Sequence, residues 1–152
     1  MQENQEKLQI DASIAAVYGV DTKKRVVRPL FLSGVAAGFP SPADDYIERH
    51  LDLNEHLIQN AAATFFVRVA GDSMIGAGIH HGDILVVDRS LTPASNKIII
   101  AIVNGELTVK RLVKTADTCR LMAENPSYEP IEITPDAPFE VWGVVTFAIH
   151  QV

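Results

Sequence analysis

The dipeptide Asn104-Gly105 constrains what this chain can fold into more than any other feature. It stands between two apolar, β-branched runs, Ile98 to Val103 and Leu107 to Leu112. A two-residue connection of this kind needs left-handed backbone, which Asn and Gly tolerate, and its twist matches that of paired antiparallel strands. The spacing therefore predicts a hairpin. Further runs of the same character follow this pattern: Thr64 to Val69, Ile84 to Asp88 after the turn His81-Gly82-Asp83, Cys119 to Ala123, Ile131 to Ile133, and Glu140 to Ile149. Many short strands with few helical segments and no βα alternation predict a mainly β body, a curled and partly closed sheet system.

The N-terminal quarter reads differently. Residues 1–25 are expected to be a weakly ordered, flexible arm. Leu8, Ile10, Ile14, Val17 and Tyr18 are spaced for one short helical stripe, which Gly19 and the charges beyond it stop. Residues 26–32 are extended by composition, with Pro29 suited to an edge or unpaired position. Ser33 to Pro42 is rich in Gly, Ala, Ser and Pro and reads as a loop. The expected division is an arm and loop over residues 1–42 and a globular body over 43–152. Ala43 to Leu57 is a candidate for one or two short helical turns. Asp52 would cap the segment beginning at Leu53, with Glu55 in the reciprocal capping position.

Charge narrows the function classes. The 152 residues carry a formal net charge of −6, unevenly spread. Residues 1–37 hold five Lys/Arg against four Asp/Glu, and residues 38–152 hold eight against fifteen. Such a body repels a phosphate backbone, which argues against strong independent DNA binding. Cys119 is the only cysteine, so an internal disulfide is excluded, and no second cysteine stands near it to build a zinc site. The N-terminus lacks a basic flank followed by an apolar stretch, and no run reaches the roughly 18 apolar residues of a membrane span. A cytoplasmic location without membrane contact is the expectation. His50, His56, His80, His81 and His150 are scattered without metal-ligand spacing, and no phosphate loop or dinucleotide fingerprint is present. No metal and no cofactor are expected.

Two segments carry chemistry. Ser73 follows a strand and the pair Gly71-Asp72, where a sharp turn can expose its hydroxyl and aim successive backbone N–H groups at one point. Such a serine is more often a turn or cap residue. Lys110 lies in Glu106-Leu107-Thr108-Val109-Lys110-Arg111, where strand alternation puts Glu106, Thr108 and Lys110 on one face. A lysine there is commonly solvent-facing. If its face is covered, burial disfavours the ammonium, and the neutral amine can accept a serine proton. Thr108 is placed to hydrogen-bond that amine. A serine–histidine–aspartate triad remains open on spacing alone, because triads assemble in space.

Ordered matches along the chain resemble the UmuD family of DNA-damage mutagenesis proteins, relatives of the self-cleaving domain of LexA repressors. They are Ala37-Gly38-Phe39-Pro40-Ser41-Pro42 with Asp45-Tyr46, Asp52-Leu53-Asn54, Gly71-Asp72-Ser73-Met74-Ile75, Gly82 to Asp88, Gly105 to Lys110, and Gly143-Val144-Val145. The resemblance runs from about Pro29 to the end. It implies the LexA and signal-peptidase type of curled β-sheet and a serine endopeptidase that cleaves itself. Ser73 would be the nucleophile and Lys110 the general base of a Ser–Lys dyad. The Asp72 and Ser73 N–H groups would form the oxyanion hole, and Ala37–Gly38 the scissile bond. It also implies a homodimer, stimulation by a RecA filament, and a trimmed product that partners a UmuC-type Y-family polymerase. The chain departs from the family's best-known member in having Ala37 rather than cysteine before the cut, and in an arm about a dozen residues longer. The rival readings are a repressor's self-cleaving domain, a non-catalytic polymerase accessory protein, and a membrane-bound leader peptidase.

Overall fold

The computed structural model describes residues 9–10, 13–21, 23, 27–31 and 47–152. Its elements in chain order are β1 (Gln9–Ile10), β2 (Ile14–Gly19), β3 (Val27–Phe31), β4 (Ile47–Asp52), α1 (Leu53–Leu57), β5 (Thr64–Val69), β6 (Ile84–Asp88), β7 (Ile98–Val103), β8 (Glu106–Lys114), β9 (Cys119–Met122), β10 (Ile131–Glu132) and β11 (Phe139–Ile149). The main sheet runs β10-β9-β8-β7-β11-β6-β5-β2, with β1 added in parallel to β8. Strands β3 and β4 form a separate antiparallel pair. The expected mainly β, curled architecture is what the chain adopts.

The hairpin predicted at Asn104-Gly105 joins β7 to β8, with φ of 51° and 82° at its two residues. Both values lie in the left-handed region that a primed turn demands. Strand β11 runs through the centre, pairing with β7 over its first half and β6 over its second. Its register slips between Val141 and Gly143 and again between Val145 and Phe147. Such irregularities bend a strand and raise its twist, which lets one long strand serve two partners and curl the sheet. Gly143 sits at the first bend because a Cβ there would lie 2.7 Å from Val87 Cγ1.

The core forms on both faces of this sheet. One cluster joins Ile14, Val67, Val69, Met74, Ile79, Leu85, Val87, Ile100, Leu107 and Val109. The other joins Ile99, Ala101, Val103, Leu112, Leu121 and Val144. Ile99, Ile100 and Ala101 are consecutive and all buried, so β7 is covered on both sides. An uninterrupted apolar run is the pattern expected of such a strand.

Two expectations are corrected. Residues 14–19 are a strand antiparallel to β5, not a helical stripe, and Ile14 is part of the core. The five apolar residues read as one helical face include Val17 and Tyr18, which are exposed. Residues 47–52 are also a strand, paired with β3 with Pro29 opposite His50, so among the described residues of the expected helical stretch only Leu53–Leu57 are helical. There Asp52 caps α1, its carboxylate accepting from the Asn54 N–H at 2.8 Å. The expected division at residue 42 lies outside the described residues, as does the loop over 33–42. Among the described residues, no helix is long and apolar enough to cross a membrane.

Candidate active site

Strand β5 ends at Val69, and the chain then turns through Gly71, whose φ of 77° suits a residue without a Cβ. This turn delivers Ser73 to a cleft of about 240 Å3, lined also by Ser13, Asp72, Thr108, Lys110 and Tyr128. The turn is held from the loop after β9. The Glu124 N–H donates to the Ser73 carbonyl at 2.9 Å, and the Gly76 N–H donates to the Glu124 carbonyl at 2.8 Å. Asn125 Nδ2 donates to the Asp72 carbonyl at 3.0 Å, and the Tyr128 hydroxyl donates to Asp72 Oδ1 at 2.8 Å. That hydrogen bond, with the carboxylate's charge, raises the Tyr128 phenol above its ordinary value, so Tyr128 remains a donor near neutral pH. From the other side, His81 Nδ1 accepts the Gly71 N–H at 3.1 Å. Arg111 on β8 pairs with Glu124 and so ties the supporting loop to the lysine strand.

Lys110 reaches the same cleft from β8. Leu107 and Val109 turn into the core, and Thr108 and Lys110 point the opposite way. That second face is covered: Thr108 is 3% exposed and Lys110 7%. Lys110 Nζ donates to Thr108 Oγ1 at 2.8 Å and to the Val109 carbonyl at 3.1 Å. Ser73 is also buried, at 5% exposure. The cleft therefore holds a hydroxyl and an amine, both largely withdrawn from water and each carried on a separately braced segment.

Ser13 is a site residue that sequence reasoning missed. It is buried just before β2, with Oγ 3.4 Å from Thr108 Oγ1 and accepting the Val109 N–H at 3.4 Å. Its carbonyl accepts the Ala70 N–H at 2.9 Å. One residue of the expected arm thus links the lysine strand to the serine turn. The only local signal is a small polar residue ahead of the apolar run Ile14-Ala15-Ala16-Val17, which reads equally as a cap. Ala37 and Gly38 lie outside the described residues. The view of the histidines as scattered is overturned in part: pairing of β6 with β11 brings His150 beside Asp83, with His80 next to both.

A family model for S24-like peptidases matches residues 29–146, most of the chain. This chain belongs to the S24-like peptidases. Among its relatives, the protein ImpA of Salmonella typhimurium is 46% identical over 131 residues, covering 82% of this chain and 85% of its own length. The protein MucA of Escherichia coli is 44% identical over 124 residues, 81% of this chain and 84% of its own. The LexA repressor 1 of Xanthomonas campestris pv. campestris is 41% identical over 120 residues, 79% of this chain and 59% of the repressor. The chain is a self-cleaving serine endopeptidase of the UmuD type, a subunit acting in SOS-induced translesion synthesis. A purely non-catalytic accessory role is set aside by this membership in a peptidase family.

Proposed function

We propose that Ser73 and Lys110 form the dyad that cuts the Ala37–Gly38 bond of this chain. The carrying observation is a lysine only 7% exposed, in the same cleft as the serine, with its amine donating to neutral oxygens of Thr108 and Val109. Burial favours the neutral form of the amine. The shared cleft places that amine on the same side of the sheet as the serine hydroxyl.

In the reaction, Lys110 Nζ takes the Ser73 proton as Oγ attacks the Ala37 carbonyl carbon. The N–H groups of Asp72 and Ser73 receive the developing oxyanion, an arrangement supported by the tight turn at Gly71. The resulting ammonium donates its proton to the Gly38 nitrogen as the C–N bond breaks. Water, deprotonated by the same amine, then releases the acyl group from Ser73. The small side chains of Ala36, Ala37 and Gly38 allow the close main-chain approach that this alignment needs.

The partners follow the same reading. An acidic body suits protein surfaces better than bare DNA, which supports stimulation by a RecA filament rather than direct DNA sensing. A homodimer and a UmuC-type polymerase complete the assembly. Intact-mass analysis after incubation with RecA on single-stranded DNA tests the proposal. The expected product begins at Gly38 and is absent from Ser73→Ala and Lys110→Ala, while Gly38→Glu slows its formation. A product starting elsewhere contradicts the assigned bond, and undiminished cleavage in either dyad variant contradicts the dyad.

A further inference from the structure

Away from the cleft, antiparallel pairing sets Ile84 on β6 opposite Ile149 on β11. One residue further out on each strand, Asp83 and His150 face each other, and His150 Nδ1 lies 2.6 Å from Asp83 Oδ1. His80 Nδ1 stands 3.7 Å from Asp83 Oδ2, and the two imidazoles are 4.8 Å apart between ring centroids. One ligand-type atom from each of the three residues lies within 4.8 Å of the others. We propose that His80, Asp83 and His150 form a binding site for a divalent transition-metal ion of the zinc, nickel or copper class.

The geometry suits such an ion. A tetrahedral zinc with bonds of about 2.0–2.1 Å holds its ligand atoms roughly 3.3 Å apart. The observed separations of 2.6 Å and 3.7 Å fall on either side of that spacing. The two histidine side chains are 45% and 47% exposed, so their rings have room for the small shift required. Asp83 is 2% exposed and does not have that freedom. Its Oδ2 accepts the His80 backbone N–H at 2.8 Å, the kind of outer contact that orients a ligating carboxylate.

The donor set selects the ion class. Two imidazoles and one carboxylate match borderline ions, whereas magnesium and calcium require mostly oxygen ligands. The exposed side of the histidine pair leaves room for water as a fourth ligand. The site also adjoins the serine turn: the next residue, His81, accepts the Gly71 N–H, and the Gly82 N–H donates to the Val69 carbonyl at 2.9 Å. An ion there would clamp the C-terminal end of β11 to the segment that supports Ser73.

The test is titration calorimetry of zinc chloride into the chelator-stripped full chain near neutral pH, repeated on His80→Ala, His150→Ala and the control His56→Ala. Both cluster variants change exposed side chains, and circular dichroism checks that each remains folded. One ion per chain is expected, with affinity at least tenfold weaker in each cluster variant and unchanged in the control. Cobalt(II) added in place of zinc should give a visible d–d spectrum that both cluster variants lose. Absence of saturable binding overturns the proposal, as does binding in His80→Ala and His150→Ala as strong as in the unchanged chain.

Discussion

Thr108→Val removes the hydrogen bond that orients the Lys110 amine, along with the longer contact to Ser13 Oγ. Thr108 Oγ1 accepts from Lys110 Nζ at 2.8 Å within a cleft wall that is almost wholly buried. Valine keeps the shape and removes the oxygen. A hydrogen bond to a neutral partner is worth about 0.5–1.5 kcal/mol net, and about 1.5–3 kcal/mol when one partner is charged. As the serine proton moves across, the amine acquires charge, so the threonine oxygen stabilises the transition state more than the ground state. The difference is on the order of 1.4 kcal/mol, which corresponds to about a tenfold fall in cleavage rate. Removing an acceptor also disfavours the ammonium, so the rising limb of the pH–rate profile should move to lower pH. Because the amine keeps the Val109 carbonyl, the folding cost should stay near 1 kcal/mol, a Tm loss of about 2–4 °C. Thr108→Ser, which restores an oxygen, should recover most of the rate. Intact-mass time courses over a pH series, paired with thermal melts, measure all of this. A rate and profile unchanged in the valine variant would refute the assignment of this hydroxyl to the working amine.

Three further outcomes follow from particular contacts. Gly76→Ala puts a Cβ 2.6 Å from the Glu124 carbonyl oxygen, a backbone atom that cannot swing aside. It should slow cleavage by more than about tenfold at a folding cost of about 1–3 kcal/mol, read by the mass assay and by urea midpoints. Gly143→Ala drives a Cβ to 2.7 Å from Val87 Cγ1 on a central strand, and should cost a similar amount of stability in the same urea melts. Asp83 has a folded pKa below its unfolded value near 3.9, so its stabilising contribution is complete above that value. The contribution is lost as pH falls through 3.9 toward the lower folded pKa; Asp83→Asn should flatten this part of the curve of stability against pH.

Sequence pattern alone reached the strands from β5 onward and failed at β2 and β4. The hairpin at Asn104-Gly105 was legible because turn chemistry and flanking β-branched residues agree, and β5 ends at Val69, just ahead of the turn expected at Gly71-Asp72. Strand β2 was not legible, since an edge strand buries little beyond Ile14 and shows no alternation to separate it from a helix. Strand β4 reads Ile-Glu-Arg-His-Leu-Asp, and it is paired extended with β3 against that weak local preference. At the site, alternation told which face Lys110 occupies but not what covers it. The cover comes from Ser13, 97 positions earlier, and from the Ser73 turn, contacts no local pattern encodes. The gathering of Asp83 and His150, 67 positions apart, likewise depends on the register of β6 against β11.

The account rests on Lys110 acting as a neutral base toward Ser73. The rate of RecA-free self-cleavage, followed by intact mass from neutral pH up to about 10.4, the ordinary lysine value, tests this most directly. A rise governed by one deprotonation, absent from both Ser73→Ala and Lys110→Ala, is the predicted result. A rate independent of pH, or one that survives in Lys110→Ala, would contradict it.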